Sequence, residues 1–260
     1  MNYVDRMVIA VQKAGTLVMA HFRSDMKVHQ KQDGGIVTEV DVACELLLKQ
    51  ELSAIIPGAS FFAEESGVQQ GNEYTWVIDP IDGTKNFERG LPYFCISIAL
   101  MYHEEIVAAV TYAPALQDLF YAQRGRGAWL NGKQLKLSQK NWRDLGILVV
   151  VSGGCVRSDI QLDNIRSSCQ SISKNVGFRV NGAAALDLAY VAAGMFDVAI
   201  FENLKWWDAA AGILLVGEAG GWVTVSYESL MSSLGRNVLA GNNVICRLIL
   251  PNLADKKEYV

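Results

Sequence analysis

Two aspartates stand three positions apart in the stretch "WVIDPIDGTKNF", which covers residues 76–87. Asp79 and Asp82 are separated only by a proline and Ile81. Two carboxylates so close repel each other, and a bound cation would offset that repulsion. Carboxylate and carbonyl oxygens suit a hard cation such as Mg²⁺. The pattern therefore favours a divalent cation site, although Asp-Pro and Asp-Gly are also ordinary turn dipeptides.

The residues that follow the second aspartate predict a sharp turn into a helix. Gly83 tolerates backbone conformations that other residues avoid, and Thr84 can cap a helix that begins around Lys85. The N-terminus of a helix attracts anions such as phosphate. An anion could thus be held directly beside the predicted cation.

Further carboxylates lie at the predicted ends of other elements. "AEES" places Glu64 and Glu65 at the end of a short apolar strand, and "WWDAAAG" places Asp208 at the start of a helix. Each one alone has a structural explanation, since an aspartate at a helix start is a common N-cap. Together they favour a cation site at Asp79 and Asp82 over a simple turn.

The elements that must position these residues begin with two helices. Apolar residues at helical spacing predict an amphipathic helix over residues 3–22. A polar loop or hairpin follows, and a second helix begins around Thr38 and stops at residues 57–58. Its predicted buried side carries Leu46, Leu47 and Ile55.

Strands dominate the next part of the chain, and strands alternate with helices after about residue 140. Short strands are predicted at residues 60–65, 74–79, 94–102, 105–113 and 118–124, with a tight turn at residues 131–132. Later strands are predicted at residues 146–153, 196–201 and 222–225, and helices at residues 183–194 and 207–221. The pattern is an α+β region followed by an α/β region, packed as one unit.

Composition bounds the class of protein. Of 260 residues, 51% are hydrophobic and 19% charged, which is typical of a folded globular chain. A net charge of -4 lacks the basic field of a general nucleic-acid binder, so no direct nucleic-acid binding is expected. The five cysteines are scattered without a C-x-x-C pair, which disfavours a disulfide framework. With neither a signal-peptide pattern nor a long apolar run, we expect a cytoplasmic protein that does not enter membranes.

Taken in order, these stretches resemble the inositol monophosphatase family, a branch of the Mg²⁺-dependent, lithium-sensitive sugar and nucleotide phosphatases. The resemblance covers almost the whole chain through "TEVD", "AEES", "DPIDGT", "GAAALDLAYVAAG", "WDAAAG" and "EAGG". It implies a layered αβαβα sandwich, built as one domain over residues 1–260 with halves at about 1–139 and 140–260. It also implies a homodimer.

The resemblance implies a role for each site residue. Two Mg²⁺ ions, with a third and weaker one near Glu64, would be held by Glu64, Asp79, the carbonyl of Ile81, Asp82 and Asp208. The residues implied to act on the attacking water are Glu64 and Thr84, with Asp41 in support and Lys31 nearby. Asp41 also has an explanation as a helix cap or dipole partner, and Lys31 has one as a surface lysine. Implied substrate contacts are Asp82, Gly83, Thr84, Gly182, Ala183, Ala184, Glu202 and Asp208. The implied reaction is in-line attack of water on phosphorus without a covalent intermediate.

Several departures from the family pattern leave the substrate open. Ala183 stands where a hydroxyl is usual, and Glu202 lies one residue closer to Asp208 than in relatives. Lys85 follows "DGT" where inositol phosphatases commonly have threonine. The first expectation is a phosphomonoesterase acting on inositol monophosphate or a related small polyol phosphate. Alternatives are fructose 1,6-bisphosphatase, 3′(2′),5′-bisphosphate nucleotidase and histidinol-phosphatase activities, or a non-catalytic contact with the transcription machinery.

Overall fold

A computed structural model describes residues 2–31, 34–137, 146–151, 159–225 and 235–252. The first layer consists of helices α1 (Tyr3–His21) and α2 (Glu39–Ser53), with the hairpin β1 (Val28–Gln30) and β2 (Ile36–Thr38) between them. Each helix begins with a reciprocal capping box, formed by Asn2 and Asp5 in α1 and by Thr38 and Asp41 in α2. Both predicted helices are confirmed.

The predicted buried side of α2 was wrong in one respect. Leu46 is 61% exposed, whereas Cys44, Leu48 and Leu52 are fully buried. These three recur every four residues and so form one face of the helix, while Leu46 lies two positions from Cys44 and points away from that face. The leucine-rich composition of the segment concealed which stripe is apolar.

A mixed sheet forms the second layer. Its strands are β3 (Ser60–Ala63), β4 (Gly67–Gln69), β5 (Tyr74–Asp82), β6 (Cys95–Tyr102), β7 (Glu105–Ala113), β8 (Asp118–Gln123), β9 (Gly127–Leu130) and β10 (Lys133–Gln134). They lie in the order β10-β9-β8-β7-β6-β5-β3-β4, and only the β3–β5 pair is parallel. The predicted turn at Asn131 and Gly132 joins β9 to β10, with positive φ at both residues. The short helix α3 (Thr84–Glu88) leaves the end of β5.

A second sheet comes from the C-terminal half. Its strands are β11 (Ile147–Val151), β12 (Val176–Arg179), β13 (Val198–Leu204), β14 (Trp222–Val225) and β15 (Arg236–Gly241), in the order β12-β11-β13-β15-β14. The helices of this half are α4 (Asp159–Ile172), α5 (Ala184–Ala192), α6 (Trp206–Glu218) and α7 (Asn243–Ile249), and α7 continues into a 3₁₀ turn at Leu250–Asn252. Four of these elements, α4, β12, β15 and α7, were not predicted. The predicted boundary near 139/140 and the end of the strand predicted at 146–153 lie outside the described residues.

Three hydrophobic cores define the layers. One lies between α1 and α2 and the large sheet, the second surrounds α5 and α6 between the two sheets, and the third joins the small sheet to α4 and α7. The order is therefore helix, sheet, helix, sheet, helix, and the predicted αβαβα sandwich is confirmed. Within the described ranges, no helix has the length and apolar character needed to cross a membrane.

Candidate active site

Strand β5 carries the first two carboxylates to one place. The strand was predicted to end at Asp79, but it continues to Asp82. Its register with β6 shifts between these residues, because Asp79 pairs with Ser97 and Asp82 with Cys95. Three residues along β5 therefore cover the same length of the ladder as two residues along β6. In a regular strand, side chains three positions apart point to opposite faces, so the extra residue of this bulge turns both carboxylates the same way.

Helix α6 brings the third carboxylate. The helix begins at Trp206 with Lys205 as its N-cap, so Asp208 lies in the first turn and is not the cap. A carboxylate in the first turn is favoured by the helix dipole. Ligand oxygens of Asp79, Asp82 and Asp208 all lie within 4.8 Å of one another. We call these three residues the carboxylate cluster.

The electrostatics of the carboxylate cluster are unfavourable without a cation. Burial, followed by the charges of Glu64 and the other two members, raises the pKa of Asp79 well above its ordinary value. Burial and the charge of Glu64 raise the pKa of Asp208 to about 7. Burial, followed by the charge of Asp208, also raises the pKa of Asp82 well above its ordinary value. Neighbouring charges thus make Asp79 and Asp82 harder to ionise, whereas the contact with Asp79 lowers the pKa of Asp208.

One oxygen in the cluster has no hydrogen-bond donor among the described residues. Asp79 Oδ1 accepts the N–H of Ile81 at 3.0 Å, while no described donor reaches the buried Asp79 Oδ2. A buried carboxylate oxygen without a donor is costly, and a cation removes that cost. The ligand set consists only of oxygens, which is the set a hard divalent cation prefers. The residues present therefore fit Mg²⁺.

Asp82 also makes hydrogen bonds that were not predicted. Its Oδ1 accepts the backbone N–H of Ala184 at 3.1 Å, and its Oδ2 accepts those of Ala185 at 2.8 Å and Leu186 at 3.2 Å. These are the free N–H groups at the start of α5, whose own N-cap residue Ala183 has no side-chain hydrogen bond. The cap is supplied from the other half of the chain. The alanine at the cap position was a weak signal that another group must fill it.

The turn after Asp82 differs from the prediction in one detail. The N-cap of α3 is Gly83, in a left-handed conformation with φ +89°, and Thr84 is the first helical residue. The Thr84 hydroxyl lies 3.1 Å from Asp41 Oδ1 and 3.0 Å from the carbonyl oxygen of Ile81. A hydroxyl has one proton, so it donates to one of these two acceptors at a time. Thr84 was predicted as a cap because its hydroxyl was assumed to turn toward its own helix.

Asp41 contributes both to a helix start and to this site. It is fully buried, and its Oδ2 accepts the backbone N–H of Thr38 at 2.8 Å as part of the capping box of α2. Its Oδ1 faces Thr84. Burial raises its pKa, and the hydrogen bonds from Thr38 oppose that rise. The cap explanation of Asp41 is therefore confirmed, while its support of the metal site stays a prediction.

Glu64 and Lys31 form an ion pair beside the carboxylate cluster. Glu64 directly follows β3, and its N–H donates to the carbonyl of Ile78 at 3.1 Å. Lys31 Nζ lies 2.7 Å from an oxygen of Glu64 and 2.7 Å from an oxygen of Glu65. Burial lowers the pKa of Lys31, but the charges of the two glutamates outweigh it and raise the pKa overall. Lys31 is thus more than a solvated surface lysine.

Glu65 is buried enough to titrate near neutrality. Burial raises its pKa to about 7, although the hydrogen bond from Lys31 lowers it. Its backbone N–H donates to Glu45 on α2 at 2.9 Å. Glu64, the residue before Glu65, is not a member of the carboxylate cluster. The charge of Glu64 nevertheless raises the pKa of Asp79 and Asp208.

The remaining predicted substrate contacts lie on the C-terminal half. Gly182 and Ala183 lead into α5, and a Cβ on Gly83 would lie 3.0 Å from the Ala183 side chain. The N–H of Ala184 is engaged by Asp82. Glu202 lies in β13 at the point where the register with β15 shifts, and it is not a member of the carboxylate cluster.

A five-layer sandwich around an all-oxygen carboxylate cluster is the arrangement of the metal-dependent sugar phosphatases. The chain belongs to the inositol monophosphatase family, whose family model matches residues 2–257. Membership supports a phosphatase, and this family generally uses Mg²⁺.

Individual relatives carry two kinds of name. The chain is 37% identical to an inositol-1-monophosphatase of Caulobacter vibrioides over 95% of its length and 99% of that protein. It is 38% identical to the Nus factor SuhB of Pseudomonas aeruginosa, over 94% of this chain and 93% of the relative. Among solved structures, the extragenic suppressor protein suhB of Bartonella henselae matches with a TM-score of 0.86 and 34% identity, covering 96% and 98% of the two chains.

Proposed function

We propose that this protein is a Mg²⁺-dependent phosphomonoesterase that hydrolyses inositol monophosphate or a related small polyol phosphate. The observation that carries the proposal is the meeting of Asp79, Asp82 and Asp208, with a buried oxygen of Asp79 left without a donor. When bound, Mg²⁺ would supply an activated water and offset charge on the leaving oxygen. Two ions would be held by the carboxylate cluster with Glu64 and the Ile81 carbonyl, and a third would be held more weakly near Glu64.

Thr84 and Asp41 are proposed to orient the attacking water. Asp41 Oδ2 is already held by the Thr38 N–H, which fixes the direction of Oδ1 toward Thr84. When the Thr84 hydroxyl donates to Asp41, the Thr84 oxygen can still accept a hydrogen bond from a donor such as water. In the same state the Ile81 carbonyl, the alternative acceptor of Thr84, is left free for a cation.

Glu64 and Lys31 are proposed to act on the other side of that water. The ammonium group of Lys31 partly offsets the negative charge that Glu64 adds to the carboxylate cluster. Phosphate oxygens would be received by the backbone at Gly83 and Thr84. Substrate hydroxyls would contact Gly182, Ala183, Glu202 and Asp208. The N–H of Ala184 already donates a hydrogen bond to Asp82.

The substrate beyond the phosphate is the least constrained part of the proposal. Lys85 is exposed directly after Thr84, where a second anionic group of a substrate could lie. The bisphosphates fructose 1,6-bisphosphate and 3′-phosphoadenosine 5′-phosphate are therefore alternatives, and histidinol phosphate, which has no second anionic group, is a third. A colorimetric assay of phosphate release with Mg²⁺, comparing kcat/KM across these compounds and inositol monophosphate, tests the proposal. We expect the highest value for a small polyol phosphate, and folded protein that releases phosphate from none of them would overturn it.

A second role has one observation in its favour, the Nus factor name of the Pseudomonas relative. A contact with the transcription machinery would not depend on hydrolysis. Affinity capture of RNA polymerase components by an Asp79→Asn variant tests this role, with recovery equal to the wild type expected and no recovery by either protein as the contrary result. The proposed homodimer is tested separately by light scattering during size-exclusion chromatography, where a monomer mass would contradict it.

A further inference from the structure

We propose that Asn86, together with the Tyr93–Asp187 hydrogen bond, positions the Asn181–Ala184 segment over the carboxylate cluster and thereby sets the affinity for substrate. The inference rests on the proposed function and deepens it, because it assigns positioning residues to the substrate side of the same site. None of the residues in this group was a sequence-predicted site residue. We call the group Asn86, Tyr93, Asn181 and Asp187 the interhalf clasp.

Asn86 joins two backbone segments that are far apart in sequence. Its side-chain amide donates to the carbonyl of Tyr93 at 2.7 Å and to the carbonyl of Asn181 at 2.9 Å. An amide nitrogen carries two protons, so it satisfies both acceptors at once, which a hydroxyl cannot do. Asn86 is therefore a bridge from α3 in the N-terminal half to the segment that precedes α5.

Tyr93 and Asp187 make the second attachment. The Tyr93 hydroxyl donates to Asp187 Oδ1 at 2.5 Å, and the Asn181 amide donates to the same oxygen at 2.7 Å. Asp187 is 2% exposed, so its charge depends on these donors. Charge-assisted hydrogen bonds of this kind are stronger than neutral ones. Asn181 is thus fixed through its side chain by Asp187 and through its carbonyl by Asn86.

The interhalf clasp and Asp82 hold opposite ends of the same short segment. Asp82 binds the N–H groups of Ala184 and the two residues that follow, while the interhalf clasp holds Asn181. Gly182 and Ala183 lie between these attachments. Ala183 also packs against Gly83, only one position from Thr84. Loosening the interhalf clasp would release one end of the segment without changing any group in the carboxylate cluster.

This geometry predicts a separation of binding from chemistry. Asn86→Ala removes both bridging donors, and Tyr93→Phe removes one hydroxyl while keeping the ring. We expect KM to rise about tenfold in the first variant and several-fold in the second, with kcat within about threefold of the wild type. The Mg²⁺ dissociation constant measured by calorimetry without substrate is expected to stay unchanged.

The chain offers a matched control for each variant. Asn72 also bridges backbone, donating to the Pro57 carbonyl at 3.2 Å and accepting the N–H of Tyr74 at 2.9 Å. Tyr190 donates its hydroxyl to Asp118 at 2.7 Å, so it too is a tyrosine–aspartate pair. Asn72→Ala and Tyr190→Phe are expected to lower stability without raising KM. If KM rises in these two controls as much as in the test variants, the effect is merely structural and the inference is overturned.

A binding measurement separates this inference from the proposed function. If the wild type hydrolyses no phosphate ester, the proposed function fails. Calorimetry with inorganic phosphate in the presence of Mg²⁺ then decides the inference alone. Weaker phosphate binding in Asn86→Ala than in Asn72→Ala supports the interhalf clasp. Equal binding by the two variants, or an unchanged KM in an active enzyme, overturns it.

Discussion

Asp82 and Ala185 are joined by a 2.8 Å hydrogen bond across 103 positions of sequence. The bond connects the end of strand β5 to the first turn of helix α5. A carboxylate proposed to hold a cation is therefore also the cap of a helix in the other half of the chain. Three backbone donors favour its ionised form against the effect of burial and fix its direction. The proposed cation site and the proposed substrate side are thus aligned by one side chain.

Replacing Asp79 by asparagine is expected to abolish turnover and the stabilisation by Mg²⁺. Ligand binding raises the melting temperature by mass action, so Mg²⁺ should raise Tm in the wild type and leave Asp79→Asn unchanged. Without Mg²⁺ the variant should melt at or above the wild-type Tm, because one of three mutually repelling carboxylates is gone. Scanning calorimetry checks both points. Asp163→Asn, at a side chain 70% exposed, serves as the control, and activity retained in Asp79→Asn would contradict the assignment.

Removing the Thr84 hydroxyl is expected to slow the chemical step. Thr84→Val keeps the shape of the side chain but leaves Asp41 Oδ1 without this donor. We expect kcat to fall by about 10²–10⁴-fold and the free energy of unfolding by about 1–3 kcal/mol. Thr84→Ser restores the hydroxyl and should retain kcat within about tenfold. Steady-state kinetics of the two variants provide the check, and a similar kcat in both would refute the proposed role.

Lys31→Met is expected to make the protein depend on Mg²⁺ for stability. The substitution leaves Glu64 and Glu65 without their shared ammonium group, so two carboxylates repel each other. The Tm without Mg²⁺ should fall, and added Mg²⁺ should raise it by more than in the wild type. Lys13→Met is the control, because Lys13 forms an exposed pair with Glu51 that contributes little. Equal Tm changes in the two variants would show that Lys31 is an ordinary surface lysine.

A methyl group at Gly83 is expected to disturb the contact between the halves. A Cβ there would lie 3.0 Å from the Ala183 Cβ and 3.1 Å from the Tyr93 carbonyl, and φ is +89°. Gly132 has a similar φ of +80° but open space around its Cβ, so Gly132→Ala reports backbone strain alone. Urea unfolding should show Gly83→Ala to be less stable than Gly132→Ala by about 1–3 kcal/mol, with a lower kcat/KM. If the free energy of unfolding falls equally in both variants, packing against Ala183 contributes nothing to stability.

Asp187→Asn is expected to change the pH dependence of stability. Burial raises the pKa of Asp187 to about 6 against an ordinary 3.8, although hydrogen bonds from Tyr93 and Asn181 oppose it. The folded protein therefore keeps this proton longer than the unfolded chain, and ionising it costs stability as the pH rises from about 4 to about 6. The free energy of unfolding falls by up to about 3 kcal/mol when Asp187 ionises. Asparagine does not ionise, so the variant does not lose this stability. In urea unfolding, the stability of the variant relative to the wild type should be higher at pH 7 than at pH 4. The same relative stability at both pH values would contradict the raised pKa of Asp187.

The sequence was sufficient for the layers and for the proximity of the main carboxylates. Helical spacing identified α1, because one side of that helix is buried. The apolar runs of β6 and β7 marked strands, because residues on both faces of these strands are buried. Asp79, Asp82 and Asp208 were grouped through the family resemblance. Their metal-binding role stays a prediction, while the structure shows that their oxygens meet.

The remaining features depend on contacts with no local signal. Nothing near Asp82 indicates that it caps a helix 102 positions later, and Tyr93 meets Asp187 across 94 positions. The end of β5 was predicted three residues early because a proline usually ends a strand, whereas here Pro80 lies within a bulge. The turn of Thr84 toward Asp41 likewise depends on α2 packing beside β5.

The capping of α5 by Asp82 also bears on what happens when the chain is divided. A fragment that ends near residue 139 keeps Asp79 and Asp82 but has no peptide groups to hold the second carboxylate. The complementary fragment keeps Asp208 and a helix whose first N–H groups have lost their acceptor. Neither fragment alone can present the full set of oxygens. Two such fragments fused to separate partners would regain the proposed Mg²⁺ binding only on association, which makes this chain a design starting point for a split reporter.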